Sequence, residues 1–464
     1  MGYAFALFMF GRKSSSFPRK LVFGLGLGFT LLTEVYLLFF DFSSKVHYKI
    51  IFVIFFFCLL FIIYQRRKSL LASITSHTFV KLRKAMPSAI SIKSKTIPYG
   101  AAVLAMVILA VLSFNLLARP TYQFDSRAIW MYKAKIIFEE RTIFSDAVLD
   151  QSRNHPHPQY PLLLPIAAAW TFANMEKPDD RAVRVLFLIF FIGLVIATYQ
   201  LQRLKSTIAV SASASLALLV MPFIYSGVRA GASSGYADLL LSFYITSGVL
   251  AMALWLREKD AIYLFIGSVL AAAAAMVKNE GLIFAANLPL CTVIFSYSKK
   301  LSARGLSQSD SPSYLGRNTR NLVLFSLNIL LIGVLLLPWL SVRSKLPEFL
   351  DENYLGKMSL HALILGLSRI PIIAKRFLAE FGNVRNWLIM WPLIGVAIIG
   401  LVRTRRRIPS FVLVVMVVQL LAYAVIFMIT PNDLVGQMRD TLSRLLFHVL
   451  PLGVTLIAYQ LSRD

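Results

Sequence analysis

The residues best suited to chemistry fall in four short stretches: YQFDSRAIWMYKAKIIFEE (122–140), RNHPHPQYPLLLP (153–165), RAGASSGYAD (229–238) and VKNEG (277–281). The first sets one carboxylate, Asp125, among Arg127, Lys133 and Lys135. On a helix Asp125 shares a face with Ile129, Tyr132 and Ile136, while Arg127, Lys135 and Glu139 lie opposite. A desolvated carboxylate is a stronger base, which suits abstraction of a hydroxyl proton. The alternative is an interfacial amphipathic helix, anchored by Trp130 and Tyr132, with Asp125 in a structural salt bridge. Both readings stand on the pattern alone.

The second stretch offers His155 and His157, each followed by proline. No third metal ligand has suitable spacing, so an extended turn feeding a membrane-surface helix is the better reading. In the third stretch small residues let backbone approach a ligand, and Asp238 is either a helix cap or a ligand group. In the fourth, Lys278 and Glu280 either pair with one another or serve a site, with Lys278 placed to hold a phosphate. A carboxylate with Arg127, Lys133, Lys135, Arg229 and Lys278 around it suits an anionic, lipid-linked substrate. The carboxylate deprotonates an acceptor hydroxyl, and the cations stabilise charge developing on a phosphate leaving group.

The elements that must position these groups are membrane helices. The 464 residues are 58% hydrophobic and only 15% charged, far from the balance of a soluble domain. Spans are expected at 21–41, 50–64, 98–118, 183–202, 207–226, 239–256, 261–277, 281–297, 321–342, 386–402, 408–430 and 444–461, about twelve crossings of an all-α polytopic protein. With the N-terminus inside, the inner segments take more than half of the 48 Lys and Arg. They take only Glu258, Asp260, Asp310 and Asp464 among the 22 acids. This positive-inside bias accounts for the net charge of +26 without nucleic acid, and favours contact with anionic membrane lipid. The apolar stretch 160–175 holds two prolines and is short for a span. Placing it on the outer surface as a juxtamembrane helix preserves the charge rule.

The first ten residues are apolar but precede their charges, unlike a signal peptide, and are expected to lie in the interface. Cys58 and Cys291 both sit in apolar runs, so no disulfide framework is expected.

Together D-S-R-A-I-W-M-Y-K-A-K (125–135), H-P-Q-Y-P-L-L-L-P (157–165), G-Y-A-D-L-L-L-S-F-Y (235–244) and A-A-A-A-M-V-K-N-E-G-L (272–282) resemble the polytopic glycosyltransferases of the GT-C fold. So do L-P-W (337–339), T-P-N-D-L (430–434) and S-R-L-L-F-H-V-L-P (443–451). The branch in question groups protein O-mannosyltransferases, aminoarabinose transferase and lipopolysaccharide galacturonosyltransferases.

The resemblance covers roughly residues 98–461 and implies inverting transfer from a polyprenyl-phosphate sugar to a lipid, glycan or protein acceptor. It places the active site on the outer, periplasmic face of the inner membrane, with both termini cytoplasmic. Asp125 matches the catalytic acid of the first outer loop (119–182), and Asp238 falls in the second outer loop. Lys278 matches a basic position, and His157, Tyr160, Arg229 and Glu280 complete the expected substrate-binding set. Residues 1–97, two helices and a basic cytoplasmic loop, stand as an addition before the catalytic core at 98–464.

Oligosaccharyltransferase members of the fold hold a divalent metal on paired acids. Asp125 is followed by Ser126 and Arg127, so neither a metal nor another cofactor is expected. The rival class is a secondary transporter or lipid flippase, whose signature is charge near the membrane midplane. Glu34 is the clear ionisable group within a span, and it lies outside the core stretch.

Overall fold

The computed structural model describes residues 17–39, 96–150, 157–225, 231–303, 312–348, 359–404 and 406–462. The expected span 50–64, the basic stretch up to residue 95, His155 and Arg229 lie outside the described residues. Helix is the dominant structure among the described residues, with no strand among them. Six helices are long and apolar enough to cross a membrane: Phe17–Leu38, Asp180–Gln202, Asp238–Glu258, Val323–Arg343, Arg407–Ile429 and Leu434–Leu461. Further apolar helices of 10–17 residues accompany them.

In chain order the main helices are α1 (Phe17–Phe39), α2 (Thr96–Ala118), α3 (Tyr132–Glu140), α4 (Leu163–Met175), α5 (Asp180–Gln202), α6 (Ile208–Leu219) and α7 (Asp238–Glu258). They continue with α8 (Ala261–Val277), α9 (Glu280–Ala303), α10 (Pro312–Arg343), α11 (Leu360–Gly366), α12 (Ile370–Phe381), α13 (Met390–Thr404), α14 (Arg407–Ile429) and α15 (Leu434–Leu461). Short polar caps set several starts, because a side-chain oxygen satisfies an N–H that the first turn leaves open. Asp179 accepts from Arg181 and Ala182, Asp260 from Ile262, and Asp433 from Val435 and Gly436.

The bundle is organised around α7, whose apolar stretch is buried along its whole length. It packs on α1, α5, α8, α9, α14 and α15. The first helix is part of this core and does not stand before it. Gly26 leaves room for Leu270, Phe243 and Tyr244, and the Tyr244 hydroxyl donates to the Gly26 carbonyl at 3.1 Å.

The bundle has two chemically distinct ends. At one, Arg19 reaches Glu258 (3.6 Å) and Gln200, Arg407 donates to the carbonyls of Phe295 and Leu256, and Arg406 to that of Ser462. This basic end gathers the start of α1 and α14 and the far ends of α5, α7, α9 and α15. The opposite end gathers Asp125, the start of α7, the Lys278 turn and the first turns of α15, and is called the site end below.

Helix α4 lies wholly at the site end. Lys133 on α3 holds the Tyr160 carbonyl just before it, and Lys135, two residues on, pairs with Asp180 just after it (3.5 Å). Both flanks of a helix of about 20 Å are thus tied to α3, so it returns to the end it left. It is buried, with Leu163–Ala169 and Phe172 enclosed among α1, α3, α5 and α8.

Candidate functional site

Helix α7 begins at Asp238, yet its carboxylate caps nothing. It is fully buried and is the hub of a polar cluster. Oδ1 accepts from Lys278 Nζ at 2.9 Å and lies 2.8 Å from His448 Nε2. Oδ2 accepts from Arg444 Nη2 at 3.1 Å and from Arg444 Nε at 3.3 Å. The capping reading therefore fails, because every donor to Asp238 comes from another helix or turn.

Arg444 links this hub to the first loop. Its Nη1 donates to Asp125 Oδ2 at 2.8 Å, and its guanidinium lies over the Tyr236 ring, 4.7 Å from the centroid. Asp125 keeps 24% of its side chain exposed against 13% for Arg444 and none for Asp238, which puts Asp125 at the mouth of the cluster. Lys278 also meets Glu280 Oε1 at 2.9 Å, and Glu280 is 21% exposed. The group thus holds three carboxylates, two cations and a histidine. Burial raises the Tyr236 phenol pKa above its ordinary value, the Asp125 charge adds to this, and Arg444 opposes it.

Hydrogen-bond directions extend the cluster inward. An ionised Asp238 only accepts, so His448 donates through Nε2, and neutral His448 then accepts at Nδ1 from the Tyr423 hydroxyl, 3.0 Å away. Gln419 Nε2 donates to Tyr423 at 3.1 Å, and Asn287 Nδ2 donates to Gln419 Oε1 at 3.3 Å. Helices α7, α9, α14 and α15 are stitched together at the site end by this one chain.

Loop chemistry explains how Asp125 is delivered. It precedes a π-helical turn, Ser126–Met131, a wide turn that recurs at functional sites. Ser126 Oγ donates to the Gly235 carbonyl at 3.0 Å. Gly235 has φ +78°, open to glycine at no steric cost, and a Cβ there would collide with Ser126 Oγ. Buried Arg184 on α5 clamps the same two loops, donating to the Pro120 carbonyl at 3.0 Å and the Ser233 carbonyl at 2.8 Å. The small residues of GASSGYAD thus let the loop that carries Asp125 approach closely.

Of the ten expected site residues, Asp125, Asp238, Lys278 and Glu280 come together. Lys133 does not face a substrate. Its ammonium is buried and donates to the carbonyls of His157 (2.7 Å), Pro158 (2.9 Å) and Tyr160 (3.0 Å), which uses all three of its N–H groups. Burial pushes its pKa well below the ordinary lysine value. The HPQYP motif is a turn wrapped around this cation, with His157 at φ 55° and stacked on Tyr160, ring centroids 4.5 Å apart. Lys135 is engaged by Asp180, and Arg127 is exposed in the π turn. Trp130 is no headgroup anchor either, being fully buried 5.7 Å from Tyr160.

The cations beside Asp125 are therefore Arg444 and, across Asp238, Lys278. Sequence reasoning assigned no role to Arg444, His448, Tyr236 or Tyr423. The signal was present in SRLLFHVLP, where Arg444 and His448 stand four apart on one face of an apolar helix. Charged groups in such a run face the protein interior. Among the described residues no three His, Cys, Asp or Glu side chains gather as metal ligands.

No protein-family model, curated protein or solved structure matches the chain.

Proposed function

We propose that the protein is a membrane glycosyltransferase of GT-C-like architecture. It moves a sugar from a polyprenyl-phosphate donor to a lipid, glycan or protein acceptor, with inversion and with Asp125 as general base. One observation carries the reading: Asp125, the more exposed of the two partly exposed carboxylates, stands at the mouth of a buried charged cluster and is held there by Arg444. The exposed Asp125 edge faces an acceptor hydroxyl. Arg444, fixed from behind by Asp238 and Tyr236, presents the cation on which a phosphate leaving group would settle. Lys278 supports that charge through Asp238.

The alternation of helix ends among the described residues supports a reading of about twelve crossings. The basic end would then be cytoplasmic with both termini, and the site end periplasmic, in the inner membrane.

The test is transfer by purified protein from polyprenyl-phosphate sugars to acceptor lipid, comparing wild type with Asp125→Asn. Loss of general-base catalysis predicts a fall of about 10²–10⁴-fold with unfolding behaviour unchanged. Transfer near the wild-type rate in folded Asp125→Asn would remove Asp125 from the chemistry.

The inward chain from Asp238 through His448, Tyr423 and Gln419 favours a second reading, a proton-coupled transporter or flippase. Movement of lipid across proteoliposomes with no covalent product would decide for it.

A further inference from the structure

Helices α11 and α12 raise a question that the polar cluster does not answer. Arg369, between them, donates to the carbonyls of Met428 (3.2 Å) and Thr430 (2.7 Å) at the C-terminal end of α14. Gly366 packs so closely on Met428 that a Cβ would press on its carbonyl. The pair therefore lies across the end of a candidate membrane span, at the level where bilayer meets water. Neither helix alone is long enough to cross, and the run they make with the turn Leu367–Arg369 carries Arg369, Lys375, Arg376 and Glu380 and is not among the candidate spans.

The surface of α12 divides into three arcs. Ile373, Phe377 and Phe381 face the bundle, where Phe377 meets Phe427 and Phe381 meets Trp391. Ile370, Ala374 and Leu378, at i, i+4 and i+8, form a neighbouring apolar arc that is open, with Leu378 71% exposed. The remaining arc carries Lys375 and Arg376, both exposed, and Arg385 follows in the next turn. The acid of this segment, Glu380, is committed to Asn383, Asn386 and the Trp387 indole. The open surface is thus apolar on one side, while the other carries Lys375 and Arg376 with Ile372 and Ala379 between them and no acid.

We propose that α11, α12 and the turn after them dock on the anionic headgroups of the bilayer, with the apolar arc among acyl chains and Lys375, Arg376 and Arg385 on phospholipid phosphates. Charge complementarity selects this occupant, since an open apolar arc beside three cations fits neither a copy of the same basic surface nor water.

The experiment uses full-length protein in nanodiscs of phosphatidylcholine with or without phosphatidylglycerol. A bimane on Leu378→Cys, in a Cys58→Ser, Cys291→Ala background, is expected to be quenched by doxyl-labelled lipid. Retention of phosphatidylglycerol, read by native mass spectrometry, is expected to fall in Lys375→Gln/Arg376→Gln/Arg385→Gln. At roughly fivefold for each cation near an anionic surface the fall is about a hundredfold. Melting of that variant in pure phosphatidylcholine is expected to match wild type, which separates lipid binding from folding. A bimane quenched by aqueous iodide instead of lipid, equal lipid retention by the variant, or a crosslinked pair of chains through position 378 would each overturn the proposal.

Discussion

Replacing Asp238 by Asn tests whether the cluster is held together by charge. The carboxamide keeps the shape but removes the one anion that Lys278, Arg444 and His448 share, with every side chain but Arg444 nearly or wholly enclosed. Breaking a buried ion pair costs about 3–5 kcal/mol, because the partner charge stays buried without compensation. Two features pull the value to the lower end of that range. Arg444 keeps Asp125, and Lys278 keeps Glu280, both partly exposed carboxylates. Removing Lys278 as well, in Asp238→Asn/Lys278→Met, takes away the stranded cation. The double variant should therefore cost less than the two single changes together, with a coupling of about 1–3 kcal/mol. Equilibrium unfolding in mixed micelles, followed by tryptophan fluorescence, measures all four corners of the cycle. Additivity within about 0.5 kcal/mol would refute the argument, since it would mean that Asp238 and Lys278 do not sense each other's charge.

Two further outcomes follow from the loops. Gly235→Ala must adopt φ +78° and push on Ser126 Oγ; a loss of about 1–3 kcal/mol is expected in the same unfolding assay, partly recovered in Gly235→Ala/Ser126→Gly. Lys133 has a folded pKa depressed by burial, so between that value and its ordinary one the unfolded chain binds more protons and stability rises with pH. The gain is complete above the ordinary lysine pKa and is lost as pH falls through the folded one; Lys133→Met should flatten this slope in pH-dependent melting, and an unchanged slope would assign it elsewhere.

How much of this was legible in the sequence depended on whether a feature was local. Helix positions follow from apolar runs, and the burial of α7 is consistent with LLLSFYITSGVLAMALWL reading apolar on every side. Four of the ten expected residues meet in the cluster, and each lies in a polar island beside an apolar run. Lys133 was misjudged for a non-local reason. Nothing in KAK says that a turn 24 residues later will wrap its carbonyls around one lysine and leave the other to Asp180. Arg444 was overlooked because its partners are 206 and 319 residues away, and in sequence it resembles an ordinary charge near a helix start. The first helix was set apart because its position in the chain says nothing of Gly26, whose missing side chain admits Tyr244 and Leu270.

The buried chain beneath Asp238 bears on the choice between transfer and transport. It descends through His448, Tyr423, Gln419 and Asn287, and Asn287 then accepts from Cys291 at 3.0 Å. Several deeper hydroxyls turn back on their own helices, Thr292 donating to the Leu288 carbonyl and Thr455 to that of Pro451, while others tie helices together, Ser242 to the Phe447 carbonyl and Ser268 to Asn328. Such bonds satisfy a polar group without offering it to a passing solute. The α8 segment facing them, Ala271–Val277, is wholly buried and apolar. At the basic end Arg407 and Arg19 are spent on helix carbonyls and on Glu258. A solute crossing here would have to part α7 from α8 and α15 along their most tightly enclosed faces. Chemistry at Asp125 requires no such opening, because that carboxylate already meets solvent at the site end. Polar groups deep in the bundle are therefore better explained as support for the hub, fixing Asp238 so that Arg444 can hold Asp125 at the surface.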